Sequence, residues 1–170
     1  MSAPSVSRLR LVTTWGVIRI TARAGALVRC DLPVRQAART VPRVLRRQST
    51  AVTPADRRAL ARAEKFVRAC LAGAKPPAVP ALQPAVPGAF TRNVLAALQT
   101  LPRGTTVTYG ALARRLGRPG AARAVGTACG ANPLPLFIPC HRVVAAGGAP
   151  GGFSAGLAWK KFLLTSECAG

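Results

Sequence analysis

Ile138-Pro139-Cys140-His141-Arg142-Val143 is the stretch from which the rest of the chain is read. It sets a cysteine directly before the only histidine in 170 residues. Side chains at i and i+1 point apart in regular structure, so the pair can cooperate only through a tight turn, a bridging water or a third residue. Pro139 favours a special backbone there, because it fixes its own φ and restricts Ile138. A thiol is a useful nucleophile only as its thiolate, and a neighbouring imidazole is a common way to form one. Two readings of Cys140 stand open on these residues. It is a reactive nucleophile, or a small buried hydrophobe in the core that Phe137-Ile138 suggests.

Upstream, the prolines of Asn132-Pro133-Leu134-Pro135 make the approach to Cys140 stiff and extended. Ahead of them, Ala121 to about Gly130 reads as a helix built from small residues, on which Arg123 is the single long cation. Such a helix either lies close against another surface with Arg123 reaching into a groove, or packs internally with Arg123 snorkelling out. A shorter helix starts after Thr108, a good N-cap, and carries Leu112 and Leu116 to Gly117. The tight Gly117-Arg118-Pro119-Gly120 link between the two suggests a helix-turn-helix. Phe90, Val94, Leu98 and Leu101 mark an earlier helix that ends at Pro102. Downstream, Val143-Val144 reads as a strand and Gly147 to Gly156 as a flexible loop. A last helix has Leu157, Phe162 and Leu164 apolar and Lys160 and Lys161 outward, and it brings Glu167, the only acid of the second half, to its end.

Five prolines between 76 and 87 exclude a helix or central strand and mark a semi-rigid connector. The chain is therefore expected to divide into residues 1–75, the connector 76–87 and residues 88–170. In the first part Val17 to Arg23 alternates as a half-buried strand, Ala24-Gly25 turns, and Ala26 to Leu32 is its partner. Residues 33–52 show little periodicity. Thr53-Pro54-Ala55-Asp56 then opens a helix with a capping Thr, a first-turn Pro and an Asp three residues on, and Gly73 is a plausible stop.

Charge bounds the partner. The chain carries 25 Lys+Arg against 4 acids, a net +21. Of these, 16 basic and 3 acidic residues precede Pro87 and 9 and 1 follow it, so the excess belongs to the whole molecule. Such a field attracts polyanions, with nucleic acid as the leading candidate and an anionic membrane surface second. Five cysteines without a C-x-x-C pair argue against a disulfide framework and for a reducing compartment. A single histidine argues against a zinc site, so neither metal nor cofactor is expected. The uncharged run from Ala124 to Cys140 is too broken by three prolines to span a bilayer.

Phe90-Thr91-Arg92, Thr108-Tyr109-Gly110, Ala121-Ala122-Arg123-Ala124-Val125-Gly126, Asn132-Pro133, the hexapeptide at 138–143, and Leu163-Leu164 leading to Glu167 together resemble one family. It is the O6-alkylguanine-DNA alkyltransferases, also called methylated-DNA–protein-cysteine methyltransferases, and residues 88–167 carry the resemblance. It implies a small RNase H-like N-terminal α/β domain beside a mainly helical C-terminal domain with a helix-turn-helix, an α+β/α arrangement. It also implies direct transfer of an alkyl group from guanine O6, with thymine O4 as a further substrate, to Cys140 in one irreversible turnover. By the same resemblance a water links the thiol to His141, Glu167 pairs with the far imidazole nitrogen, and Tyr109 donates toward the guanine ring. Arg123 fills the stack left by the rotated nucleotide, joined at the DNA by Ala122, Asn132 and Arg142, and Asn132 also fixes the turn into the active site. The Val143 backbone and Ser154 line the base pocket with Tyr109.

The expected partner is double-stranded DNA containing O6-alkylguanine. A monomer in the cytoplasm, associated with the nucleoid, or in the nucleus of a eukaryote, is expected, with no membrane contact. Phe153 stands where Tyr is common, and Ala155 replaces a usual Gly, which would stiffen the pocket loop. Cys30, Cys70, Cys129 and Cys168 are read as structural. Two other classes compete: a non-catalytic DNA-damage-binding protein of the same fold, and a Cys/His/Glu hydrolase, for which no oxyanion-hole sequence is evident.

Overall fold

The computed structural model describes residues 6–35 and 40–168. Four antiparallel strands, β1 (Ser7–Thr13), β2 (Gly16–Arg23), β3 (Ala26–Asp31) and β4 (Val44–Thr50), form a sheet in the order β3-β2-β1-β4. Alternation decides which face is buried. Leu9 and Leu11 of β1 and Ile18 and Ile20 of β2 point inward against Leu60, Ala63 and Val67 of α1 (Pro54–Leu71). The long helix begins as its cap chemistry requires. Thr53 Oγ1 accepts from Asp56 N at 3.1 Å, while the Asp56 carboxylate accepts from Ser7 Oγ (2.9 Å) and Gly25 N (2.7 Å). These bonds, led by that from Gly25, hold the buried Asp56 below the usual carboxylate range.

Two strands go beyond the sequence pattern. β1 is regular, but β4 lies where no periodicity is visible. It is an edge strand with both faces largely in solvent, so burial leaves no alternating imprint on it.

The second half is mainly helical: α2 (Ala89–Gln99), α3 (Tyr109–Arg115), α4 (Ala122–Gly130) and α5 (Leu157–Cys168). Thr108 caps α3 by accepting from Ala111 N at 3.1 Å. A two-residue parallel pairing of β5 (Val107–Thr108) with β6 (Val143–Val144) sets the start of α3 beside the hexapeptide. The whole is an α+β fold.

The apolar core runs unbroken through both halves. Phe66 of α1 lies against Phe137 with ring centroids 5.0 Å apart, and Trp15 meets Trp159 of α5 edge-on at 4.8 Å. A backbone seam joins them as well. Cys30 N donates to Pro133 O (2.7 Å), Arg35 N to Ala155 O (2.7 Å) and Trp159 Nε1 to Pro33 O (2.7 Å). At Gly156 (φ +95°) a Cβ would collide with the Arg35 carbonyl, so only glycine allows this approach.

One expectation is overturned in α5. Lys161 is exposed, but Lys160 is fully buried and turns inward, where Nζ donates to Val143 O (2.6 Å) and Gly152 O (3.2 Å). Helical geometry explains the difference: Trp159 and Leu163 bring that stripe of α5 into the core, and Lys160 lies between them. The buried ammonium is tolerated because two carbonyls accept from it and its charge sits 5.9 Å from the Tyr109 ring centroid.

Candidate active site

Residues 140–142 form a single 3-10 turn, and Cys140 and His141 are both buried. The two side chains make separate hydrogen bonds from this turn, so cooperation between them runs through a bridging group. Cys140 Sγ accepts from Asn132 Nδ2 at 3.2 Å. The His141 ring engages Glu167, with Nε2 2.9 Å from Oε1. Its Nδ1 is buried and has no hydrogen-bond partner among the described residues.

Glu167 is the electrostatic anchor. Its carboxylate accepts from Arg142 Nε (2.9 Å) and Nη2 (2.7 Å) and from Gly104 N (3.1 Å) in addition to His141. These donors outweigh the cost of burial and hold the carboxyl far below the usual range, so it is ionised. Burial pulls His141 below the ordinary imidazole value despite Glu167, so the ring is neutral near pH 7. An ionised carboxylate can only accept, so Nε2 carries the proton and Nδ1 is left with its lone pair. Burial raises the Cys140 thiol, while Asn132 and the Lys160 charge act against that rise. Ionisation of this sulfur therefore needs a base.

A cavity of about 460 Å³ opens beside the sulfur, within the usual range of small-molecule sites. Cys140 and Tyr109 share its wall with Ala122, Arg123 and Gly126 of α4 and with Gly152, Phe153 and Ser154 of the loop before α5. Tyr109 is held against that loop, since a Cβ on Gly151 would lie 2.9 Å from its hydroxyl.

Residues 89–169 match the family described as 6-O-methylguanine DNA methyltransferase, DNA binding domain. Methylated-DNA--protein-cysteine methyltransferases of Mycolicibacterium paratuberculosis and Salmonella typhimurium are 51% and 50% identical to it over 78 residues, 46% of this chain. The matched stretch covers about half of those curated relatives, 47% and 46%. Over nearly the full length, the structure of Mycobacterium tuberculosis OGT in complex with DNA superposes with a TM-score of 0.75 at 30% identity, covering 95% of this chain and 92% of that one. The chain belongs to the O6-methylguanine-DNA methyltransferase family. The Methanococcus jannaschii O6-methylguanine DNA methyltransferase agrees, at 32% identity and a TM-score of 0.63 over 91% of this chain and 89% of that one.

The structure redistributes several expected residues. Cys140, Tyr109, Ala122, Arg123 and Ser154 come together around one cavity, and His141 and Glu167 stand behind the sulfur. Asn132, expected at DNA, is buried. Its Nδ2 reaches Ile138 O (2.9 Å) and Cys140 Sγ, and its Oδ1 accepts from Leu134 N (3.0 Å), so all its polar capacity is directed at the loop and the sulfur. Arg142, also expected at DNA, turns inward to Glu167 and to Leu101 O (2.6 Å), because the sole acid of this half attracts it. Val143 stands behind the cavity wall, its carbonyl taken by Lys160.

Two residues escaped the sequence reading. Lys160 had no visible signal, since lysine on a helix is ordinarily solvent-facing. Cys129, read as structural, lines the cavity, and burial pushes its thiol up to about 12. Its place on the small-residue face of α4 was the available clue.

Proposed function

We infer that this chain repairs DNA by moving an alkyl group from guanine O6 to Cys140, directly and once. The observation that carries this is the sulfur at the wall of a cavity with room for an extruded base, flanked by Arg123 and Tyr109, with His141 next in the chain and 2.9 Å from Glu167.

The neutral imidazole, held in one tautomer by Glu167, takes the thiol proton at Nδ1, relayed by solvent because sulfur and ring make no direct bond. The imidazolium is then paired with an ionised carboxylate, and the thiolate with Asn132 Nδ2 and the nearby Lys160 charge. The sulfur attacks the alkyl carbon in line. The S–C bond forms as the C–O6 bond breaks, and its electron pair returns to guanine, where Tyr109 donates to the ring. No acceptor remains to regenerate the thiol, so the protein is consumed.

α3, the Gly117–Gly120 link and α4 act as a helix-turn-helix in this reading, with Ala122 close to the duplex and Arg123 taking the place of the extruded nucleotide. The sheet of the first half is the RNase H-like scaffold, residues 76–87 connect, and residues 88–170 read and react. Intact-protein mass spectrometry after exposure to O6-methylguanine duplex tests the proposal. One methyl group per chain, on the peptide holding Cys140 and absent from Cys140→Ala, is expected. Repeated turnover with unmodified protein would refute it.

A further inference from the structure

The sheet has a second face that the chemistry above does not use. Register places Arg10 of β1 beside Arg19 of β2, and Arg8 beside Thr21, which in turn faces Arg29 of β3. Arg46 of β4 pairs with Val12, and Arg23 closes the end of β2. Because alternate residues share a face, these six arginines stand on the side away from α1, and all six are exposed.

Among the described residues, this face is neutralised at one corner only. The chain has four acids. Asp56 is buried with Ser7 and Gly25, Glu64 pairs with Arg47 and Arg68, and Glu167 with His141 and Arg142. Asp31 alone lies on the sheet face, and it binds Arg29 at 2.8 Å. Arg8, Arg10, Arg23 and Arg46 therefore have no carboxylate beside them, and Arg19 faces Asp31 across the strands without an ion pair, since Asp31 is taken by Arg29.

We propose that this open arginine face docks on the phosphate backbone of duplex DNA, independently of any lesion, as a second contact besides α4. The grid dictates the ligand. Neighbouring strands lie about 4.8 Å apart and alternate residues about 6.8 Å apart, giving a rigid patch about 14 Å by 20 Å. A duplex of that length presents about twelve phosphates. Guanidinium groups bind phosphate oxygens in pairs. Single strands are disfavoured, because the face carries no aromatic side chain on which bases could stack. A four-stranded face about 14 Å across is wider than the major groove of about 12 Å, so it meets the backbone and the contact is sequence-independent.

This rests on DNA being the partner, and the experiment keeps the two readings apart. The full chain carrying Arg123→Glu, which disables the reading helix, is titrated with undamaged duplex across a salt series, alone and with Arg8→Gln/Arg10→Gln/Arg19→Gln added. Arg57→Gln/Arg58→Gln/Arg62→Gln, on the exposed side of α1, is the equal-charge control. The Arg123→Glu protein should still bind duplex. The sheet triple should weaken it at least tenfold and lower the log K against log[salt] slope by about 2.7, at about 0.9 per phosphate contact. The α1 control should change binding less than threefold, and Arg→Lys at the three sheet positions should restore most of it.

Equal effects of the two triples, or no duplex binding by Arg123→Glu, would overturn the proposal. So would a sheet triple that loses binding to phosphatidylserine vesicles while keeping duplex. Alkyl transfer to a short O6-methylguanine duplex, measured in the parent and in the sheet triple with Arg123 intact, tests the catalytic reading separately. Transfer absent from the parent refutes that reading and leaves the salt result standing.

Discussion

Glu167→Gln changes one oxygen to an amide and disturbs four hydrogen bonds. The carboxylate accepts from His141 Nε2, Arg142 Nε and Nη2, and Gly104 N. A glutamine keeps one acceptor oxygen and turns an N–H toward a donor, leaving the mostly buried Arg142 charge without its partner. Breaking such a pair from one side costs about 3 kcal/mol. For a chain of this size that lowers Tm by about 6–12 °C. The chemical effect is larger. If the amide donates to Nε2, the proton moves to Nδ1 and the ring can no longer take one from Cys140, so single-turnover transfer should fall between about a hundredfold and ten-thousandfold.

The pH dependence adds a second signature. Glu167 titrates lower in the folded chain than in the unfolded one, so its stabilisation is complete above the ordinary carboxylate pKa of about 4.3 and is lost below it. His141 is also lowered, so the unfolded chain takes its proton first, and stability falls as pH drops through about 6.5. The parent should lose stability in two stages on acidification, and Glu167→Gln should shrink the lower one to the part that Asp56 supplies. Thermal unfolding from pH 8 to about 2 and transfer followed by intact mass read both effects. A folded variant that transfers within threefold of the parent refutes the orientation argument.

Lys160→Met keeps much of the volume but removes the donors to Val143 O and Gly152 O. Thiol labelling against pH should show Cys140 ionising at higher pH, and transfer should slow at least tenfold. Gly151→Ala places a Cβ 2.9 Å from the Tyr109 hydroxyl at a φ of +67°. Transfer should fall while Tm drops by only a few degrees, and Tyr109→Phe should show the same rate loss without the drop. Asn132→Ala leaves Ile138 O and Leu134 N unanswered in the interior. It should cost about 2–4 kcal/mol in urea unfolding and slow transfer as well.

What the sequence made legible follows where burial and backbone chemistry leave marks. Thr53 and Thr108 announced their helices because a hydroxyl cap has one job, and β2 was readable because one of its faces is wet and the other dry. β4 was not, since Arg46, Arg47 and Gln48 meet solvent whichever way they point. At the site, Cys140 and His141 were visible from their own order. The internal contacts of Asn132 and Arg142 were not legible because polar residues near a DNA-binding helix look alike in sequence, whether they face outward or serve the sulfur. Only three-dimensional competition for Glu167 and for the Ile138 carbonyl separates the cases. Lys160 was hidden for the opposite reason, as its carbonyl partners are formed by chain segments 17 and 8 residues away.

The seam at Pro33, Arg35 and Gly156 has an evolutionary consequence. Homologues could trade their front halves only by recutting that joint on both sides at once, because a bulkier residue at 156 evicts the strand-end peptide and a shifted peptide strands the Trp159 indole. Front and back must therefore be inherited as a matched set.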